Sequence, residues 1–134
     1  MILDMDLSYG TRFCVASEIL WVWSEFYGKH KGCKYWSEEA LRIWPTQEPS
    51  VKGLVHEHLI PRKVLIHKLF NEVERDQHKI YEFLEKFCIG VVVTKAEDQA
   101  LNDAGLNSKM PDDWNNQDPW ARYTEIGLSV VEKT

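Results

Sequence analysis

The sequence predicts an α+β fold in one helix-dominated domain, with a small sheet of about three short strands. The chain has 134 residues, which suits a single domain over positions 1–134 and is too short for two. Apolar residues recur every three or four positions through most of the longer segments, as they do along one face of a helix. Only three short runs have the apolar, β-branched composition of strands, and helical segments separate them.

The N-terminal segment is predicted to be a long helix. It is expected to begin near Ser8 or Thr11 and to end at Gly28, because glycine suits the left-handed position after a helix end. Trp21 lies off the main apolar face, which predicts that this helix is covered on more than one side. The residues that define the apolar face are Phe13, Ala16, Ile19, Leu20, Trp23 and Tyr27.

A short helix, a strand and two further helices are predicted next. Ser37 is expected to cap a helix over Glu38–Ile43, whose acidic first turn favours the positive end of the helix dipole. The run Leu54–His58 has the composition of a short strand. Pro61 suits the first turn of a helix that is expected to reach residue 75, since its missing N–H costs nothing there. Another apolar periodicity predicts a helix over 78–87.

The C-terminal third is predicted to begin with a buried strand over 89–93. Thr94 and Glu97 form a capping-box pattern, which predicts a helix that ends at Gly105. A crossover that contains helices joins the strand at 89–93 to the last strand, so the two are able to pair in parallel. The remaining predicted elements are a polar loop over 106–118, a short helix over 119–126 and a strand over 128–131.

Composition and charge exclude several classes of protein. The formal net charge of −5 argues against a general DNA-coating protein, although a nuclease can carry its basic groups locally. The sequence contains neither a signal-peptide pattern nor a long apolar span, so a cytoplasmic protein with no membrane association is expected. A nucleotide cofactor is not expected, because no glycine-rich phosphate-binding motif occurs.

The segment from Val55 to Pro61 is chemically the richest part of the chain. His56 and His58 alternate with Glu57, so on a strand the two imidazoles share one face and the carboxylate lies on the other. Two imidazoles on one face are able to converge on a divalent metal ion. A catalytic zinc site normally has three protein ligands, and the sequence does not indicate the third.

The run Glu57-His58-Leu59-Ile60-Pro61 resembles the first half of the HNH endonuclease motif. In that family an acidic residue, a histidine, two apolar residues and a proline are followed by an asparagine and a second histidine. Asn71 and His78 follow here in that order. The resemblance implies a small metal-dependent phosphodiester hydrolase in which His58 is the general base and Asn71 orients a reacting group. It also implies a divalent metal such as Zn, Mn or Mg at His58 and His78, and the shared strand face makes His56 a further candidate ligand.

Arg62 and Lys63 form a local basic patch beside this motif, and they are expected to hold a phosphate of a nucleic-acid substrate. A structural interpretation stands beside the catalytic one. A histidine at a strand end is often a hydrogen-bonded structural residue, and a proline at the start of a helix needs only backbone reasons. The sequence alone leaves both interpretations open.

An alternative function follows from the six tryptophans and the negative charge. Trp114 and Trp120 flank a long polar loop, and Arg122 lies just beyond it. Tryptophan is enriched in binding hot spots, so these three residues are candidates for contact with a partner. On this hypothesis the chain is a non-catalytic interaction or inhibitor protein, such as a phage or mobile-element accessory factor, that binds a basic protein. The competing interpretation is that both rings pin the loop onto the core.

Overall fold

Six helices and four strands occur in the part of the chain that the computed structural model describes, residues 8–25, 33–44 and 53–133. The α+β class is confirmed, with four strands where about three were predicted. The helices are α1 (Tyr9–Glu25), α2 (Glu38–Ile43), α3 (Arg62–Asn71), α4 (Gln77–Phe87), α5 (Lys95–Asp103) and α6 (Ala121–Glu125). The strands are β1 (Tyr35–Ser37), β2 (Leu54–His58), β3 (Gly90–Thr94) and β4 (Val130–Glu132).

The strands form one mixed sheet in the order β2-β3-β1-β4. Strand β3 pairs with β2 in antiparallel register and with β1 in parallel register. The expected parallel pairing of the last strand with the strand near residue 90 is wrong, because β4 pairs antiparallel with β1. Strand β1 was not predicted. Its three residues lie between β3 and β4, the two strands that were expected to pair, so the strand order differs from the predicted one.

Helices cover both faces of the sheet, and alternate residues of the central strand β3 divide the core between them. Val91 and Val93 pack with Leu101 of α5 and Tyr123 of α6. Val92 points to the opposite face, into the cluster that includes α2. A third cluster joins α1, α3 and α4. The edge strand β2 and the two residues that follow it contribute to all three clusters.

Local signals predict the starts of α2 and α5 correctly, whereas α3 ends at Asn71 and not at the predicted residue 75. Ser37 Oγ accepts a hydrogen bond from the backbone N–H of Ala40 at the start of α2, as predicted. Thr94 and Glu97 form the predicted reciprocal capping box at the start of α5. Gly105 has a φ of +73° just after α5, which explains why a glycine follows that helix.

Helix α1 begins at Tyr9, between the two predicted starts, and its predicted end at Gly28 lies outside the described residues. Trp21 is half-buried on a second side of the helix, as expected. Ile19 was predicted to belong to the buried face, but 43% of it is exposed. No helix within the described ranges is both long enough and apolar enough to span a membrane.

Candidate functional site

His56 and His58 lie on one face of β2 and are almost completely buried there. Their ring centroids are 5.8 Å apart. The indole of Trp21 from α1 packs against both, at 5.6 Å from His56 and 4.4 Å from His58. The predicted alternation along β2 is therefore present, and it creates a cluster of three aromatic rings between the sheet and α1.

Gly90 of β3 is the strand partner of His58, and the imidazole of His56, two positions away on β2, extends over it. A Cβ at position 90 would lie 2.8 Å from His56 Cε1 and closer still to Nε2. Real Cβ atoms essentially never make contacts this short. The imidazole therefore occupies the volume that a side chain at position 90 would need.

Glu57 points to the opposite face, where it meets a fully buried arginine and a tyrosine of α6. Arg122 Nη2 donates to Glu57 Oε1, and Tyr123 Oη donates to Oε2 at 2.6 Å. The same guanidinium donates to the carbonyl oxygens of His58, Leu59 and Leu106. Arg122 thus fixes the end of β2 to α6 and to the loop after α5.

Burial shifts the titration of these groups in the direction that disfavours their charged forms. It raises the pKa of Glu57, which the Arg122 charge and the Tyr123 hydrogen bond oppose. It also raises the pKa of Tyr123, and the nearby Glu57 carboxylate adds to this effect. Burial lowers the pKa of His58 to about 3, with further contributions from the nearby His56 and Arg62. His58 is therefore a neutral imidazole at pH 7.

A cavity of about 310 Å³ lies beside β2 and is lined by Trp21, His56, Glu57 and His58. We call it the β2 cavity. Arg62 and Lys63 line it at the start of α3, so the structure brings the predicted basic patch next to the predicted histidines. The Arg62 guanidinium lies 4.4 Å from the centroid of Trp21, and its Nη1 donates to Ser17 Oγ at 2.7 Å. The polar wall opposite is formed by Asp98, Asn102, Asn107 and Ser108.

The structure does not bring Asn71 or His78 to His58. Asn71 is the last residue of α3, about 14 Å along the helix axis from Arg62. Its side chain donates to the carbonyl oxygen of His67. His78 is exposed on α4, where its Nε2 lies 2.8 Å from Glu82 Oε1. The continuous helix α3 separates the two halves of the motif, which the resemblance placed at one centre.

A metal centre with His56, His58 and His78 as ligands does not fit this geometry. Within the described ranges, no group of three His, Cys, Asp or Glu side chains is placed to hold a metal ion. His56 and His58 are adjacent, but the third expected ligand is on another helix.

The residues predicted to contact a partner are mostly occupied within the fold. Arg122 is completely buried, so its expected role at an exposed surface is wrong: its guanidinium is required by Glu57 and three carbonyl groups. Trp114 is half-buried, and its Nε1 donates to the carbonyl oxygen of Asp118 at 2.7 Å. Trp120 packs edge-to-face against Tyr35. The two rings hold the long loop on the core.

Comparison of the chain with protein-family models, with curated proteins and with solved structures gave no match. Function is therefore inferred from the β2 cavity itself. Sequence reasoning found the histidines and the basic residues of this cavity. It missed Trp21 and Asp98 as lining residues of the cavity, because both come from helices distant in sequence and no local pattern predicts such a contact.

The low pKa of His58 predicts that the protein loses stability in mild acid. The unfolded chain binds a proton at His58 below about pH 6.5, whereas the folded chain does so only near pH 3. The unfolded state therefore holds more protons within this window, and stability falls as the pH is lowered. The expected contribution at pH 5 is about 2 kcal/mol of unfolding free energy.

Urea unfolding at several pH values measures this contribution, with His58→Asn as the test variant. The variant should lose a large part of the decline in stability between pH 7 and pH 5. His67→Asn removes an exposed histidine of α3 and is the matched control, so it should keep the wild-type dependence. An unchanged pH dependence in His58→Asn would show that His58 is not responsible.

Proposed function

We propose that the protein binds a phosphate ester, such as a nucleotide or the backbone of a nucleic acid, in the β2 cavity. The proposal rests on one observation: Arg62 and Lys63, at the start of α3, line the same cavity as two buried histidines. The cavity of about 310 Å³ is at the lower end of the range that small-molecule sites occupy.

Several hydrogen-bond donors and positive charges in the β2 cavity favour the binding of an anionic group there. A guanidinium has five N–H donors, and the hydrogen bond from Arg62 to Ser17 uses one of them. Lys63 is exposed at the mouth of the cavity. The N-terminal end of α3 has no side-chain cap, so its first backbone N–H groups and its dipole favour an anion. The charge of Glu57 is balanced by Arg122, which leaves Asp98 as the main opposing carboxylate.

Phosphodiester hydrolysis, the activity implied by the HNH-like segment, is our second proposal for the same cavity. The neutral state of His58 at pH 7 supports it, because an unprotonated imidazole has a lone pair for a proton from water. A pKa of about 3 makes this imidazole a weak base, however. Binding is therefore the better supported of the two functions.

Titration calorimetry with inorganic phosphate, pyrophosphate, a nucleoside 5′-monophosphate and a short single-stranded DNA tests the binding proposal. Arg62→Met keeps the apolar stem against Trp21 and removes the charge. We expect this variant to lose roughly tenfold to a hundredfold in affinity, as the loss of a charge-assisted hydrogen bond implies. Affinity of the wild type should also fall as salt is raised.

Lys79→Met on α4 is the matched control, because it removes an exposed cation outside the β2 cavity. Equal affinities in Arg62→Met and Lys79→Met would contradict the proposal, and so would a failure of all four ligands to bind. Cleavage of the same DNA with and without added Mg²⁺, Mn²⁺ or Zn²⁺ tests hydrolysis separately. His58→Asn should abolish any cleavage that the wild type shows.

A further inference from the structure

A second cavity, of about 200 Å³, lies at the opposite edge of the sheet beside β4, and we call it the aromatic corner. It is lined by three aromatic rings and one carboxylate: Tyr35 of β1, Trp120 just before α6, Tyr123 of α6 and Glu132 of β4. The remaining lining residues are Thr124, Leu128, Val130 and Val131. None of these residues lines the β2 cavity.

Trp120 packs edge-to-face against each of the other two rings of the aromatic corner. Tyr35 and Trp120 have centroids 5.2 Å apart and an angle of 74° between their planes. Trp120 and Tyr123 are 6.2 Å apart at 68°. Faces of aromatic rings carry negative charge density, and Tyr35 and Trp120 are both partly exposed where they line this cavity. This arrangement attracts a cation that has little need of hydrogen-bond acceptors.

The chain's own Lys34 places an ammonium group at the edge of the aromatic corner. Lys34 Nζ lies 5.3 Å from the centroid of Tyr35 and 3.7 Å from Glu132 Oε1. Its side chain is largely exposed, so this ammonium lies at the solvent side of the corner rather than inside it. A ligand cation that reached the cavity would meet the same ring and the same carboxylate.

We propose that the aromatic corner binds a quaternary ammonium group. Tryptophan and tyrosine faces are the preferred partners of such a cation, because its charge is spread over methyl groups that are easily desolvated. Glu132 supplies the balancing negative charge at the rim, and Leu128 and Val130 contact the methyl groups. Both a free choline-like molecule and a trimethylated lysine side chain carry this chemistry.

Choline and its uncharged isostere 3,3-dimethyl-1-butanol provide the decisive comparison, because they differ in charge and hardly in shape. Titration of the intact chain, followed by saturation-transfer NMR on the methyl protons of the ligand, should show saturable binding of choline with a Kd on the order of 1 mM. The uncharged isostere should bind at least tenfold more weakly. Equal binding of the two would make the corner a simple apolar pocket and overturn the proposal, as would an absence of choline binding.

Three variants locate the site. Lys34→Met removes the internal competitor for Tyr35 and Glu132, so we expect choline affinity to rise several-fold. Glu132→Gln changes an exposed side chain, leaves the fold in place and should weaken binding several-fold. Trp120→Leu should abolish binding, and Trp44→Leu, a half-buried tryptophan beside α2, is its control. Weaker choline binding in Lys34→Met, or unchanged binding in Glu132→Gln, would contradict the assignment.

A peptide that carries trimethyl-lysine, compared with the same peptide carrying unmodified lysine, distinguishes the two sources of the cation. Preference for the methylated peptide over choline identifies a protein tail as the ligand. Binding of choline without the peptide identifies a small molecule. Either result supports the site, because both depend on the quaternary ammonium group.

Discussion

Replacing Arg122 with methionine is expected to destabilise the protein by about 3–5 kcal/mol, the usual cost of removing one partner from a buried ion pair. Arg122 is completely buried, and its guanidinium donates to Glu57 and to three backbone carbonyl groups. Methionine fills much of the same volume and cannot donate a hydrogen bond. The substitution therefore leaves a buried carboxylate and several buried oxygens without their donor.

Urea unfolding followed by circular dichroism measures this loss, and Arg42→Met is the matched control. Arg42 forms an ion pair with Glu39 on the exposed side of α2, so its loss should change stability very little. The charge of Arg122 opposes the effect of burial on the pKa of Glu57, and its removal should raise that pKa further. The folded variant would then hold a proton that the unfolded chain releases, so its stability should fall as the pH rises above about 4.5, the ordinary pKa of a glutamate. A loss below about 1 kcal/mol in Arg122→Met would show that the guanidinium is not needed for the fold.

The parts of the fold that depend on neighbouring residues could be predicted from the sequence. The strand at Leu54–His58 has the predicted bounds, because alternation and the following proline are both local signals. The capping box at Thr94 and Glu97 has the predicted geometry for the same reason. The common face of His56 and His58 follows from the two-residue period of a strand. These features need no knowledge of what lies across the sheet.

Features that depend on distant contacts could not be predicted in the same way. The three residues of β1 are too few to produce a periodic pattern, and they become a strand only through pairing with β3 and β4. Arg122 has the sequence environment of a surface residue near a polar loop. Only the fold shows that Glu57, 65 positions earlier, needs its charge. The order Asn71 and His78 matched a motif, but Asn71 lies at the far end of α3 and His78 lies on α4.

Gly90→Ala is the second substitution with a large expected effect, and it acts on the β2 cavity itself. The added methyl group would meet the ring of His56, and His56 has little room to move because it is buried against Trp21. Forcing extra volume into a packed core typically costs about 1–3 kcal/mol, and occasionally more. We therefore expect a loss of stability in this range, together with a displaced His56 and weaker binding of any ligand that the β2 cavity takes.

Gly10→Ala provides the control, since a Cβ at that position in α1 has no atom within 4 Å. Alanine is favoured over glycine inside a helix, so this variant should be as stable as the wild type or more stable by up to about 1 kcal/mol. The double variant Gly90→Ala/His56→Ala removes the ring that the new methyl group meets. Its loss of stability should be smaller than the sum of the losses in the two single variants, because the methyl group at position 90 has no ring to clash with in the double variant. Additive losses would show that His56 is not the group that requires glycine at position 90, and the imidazole would then not be fixed by β3.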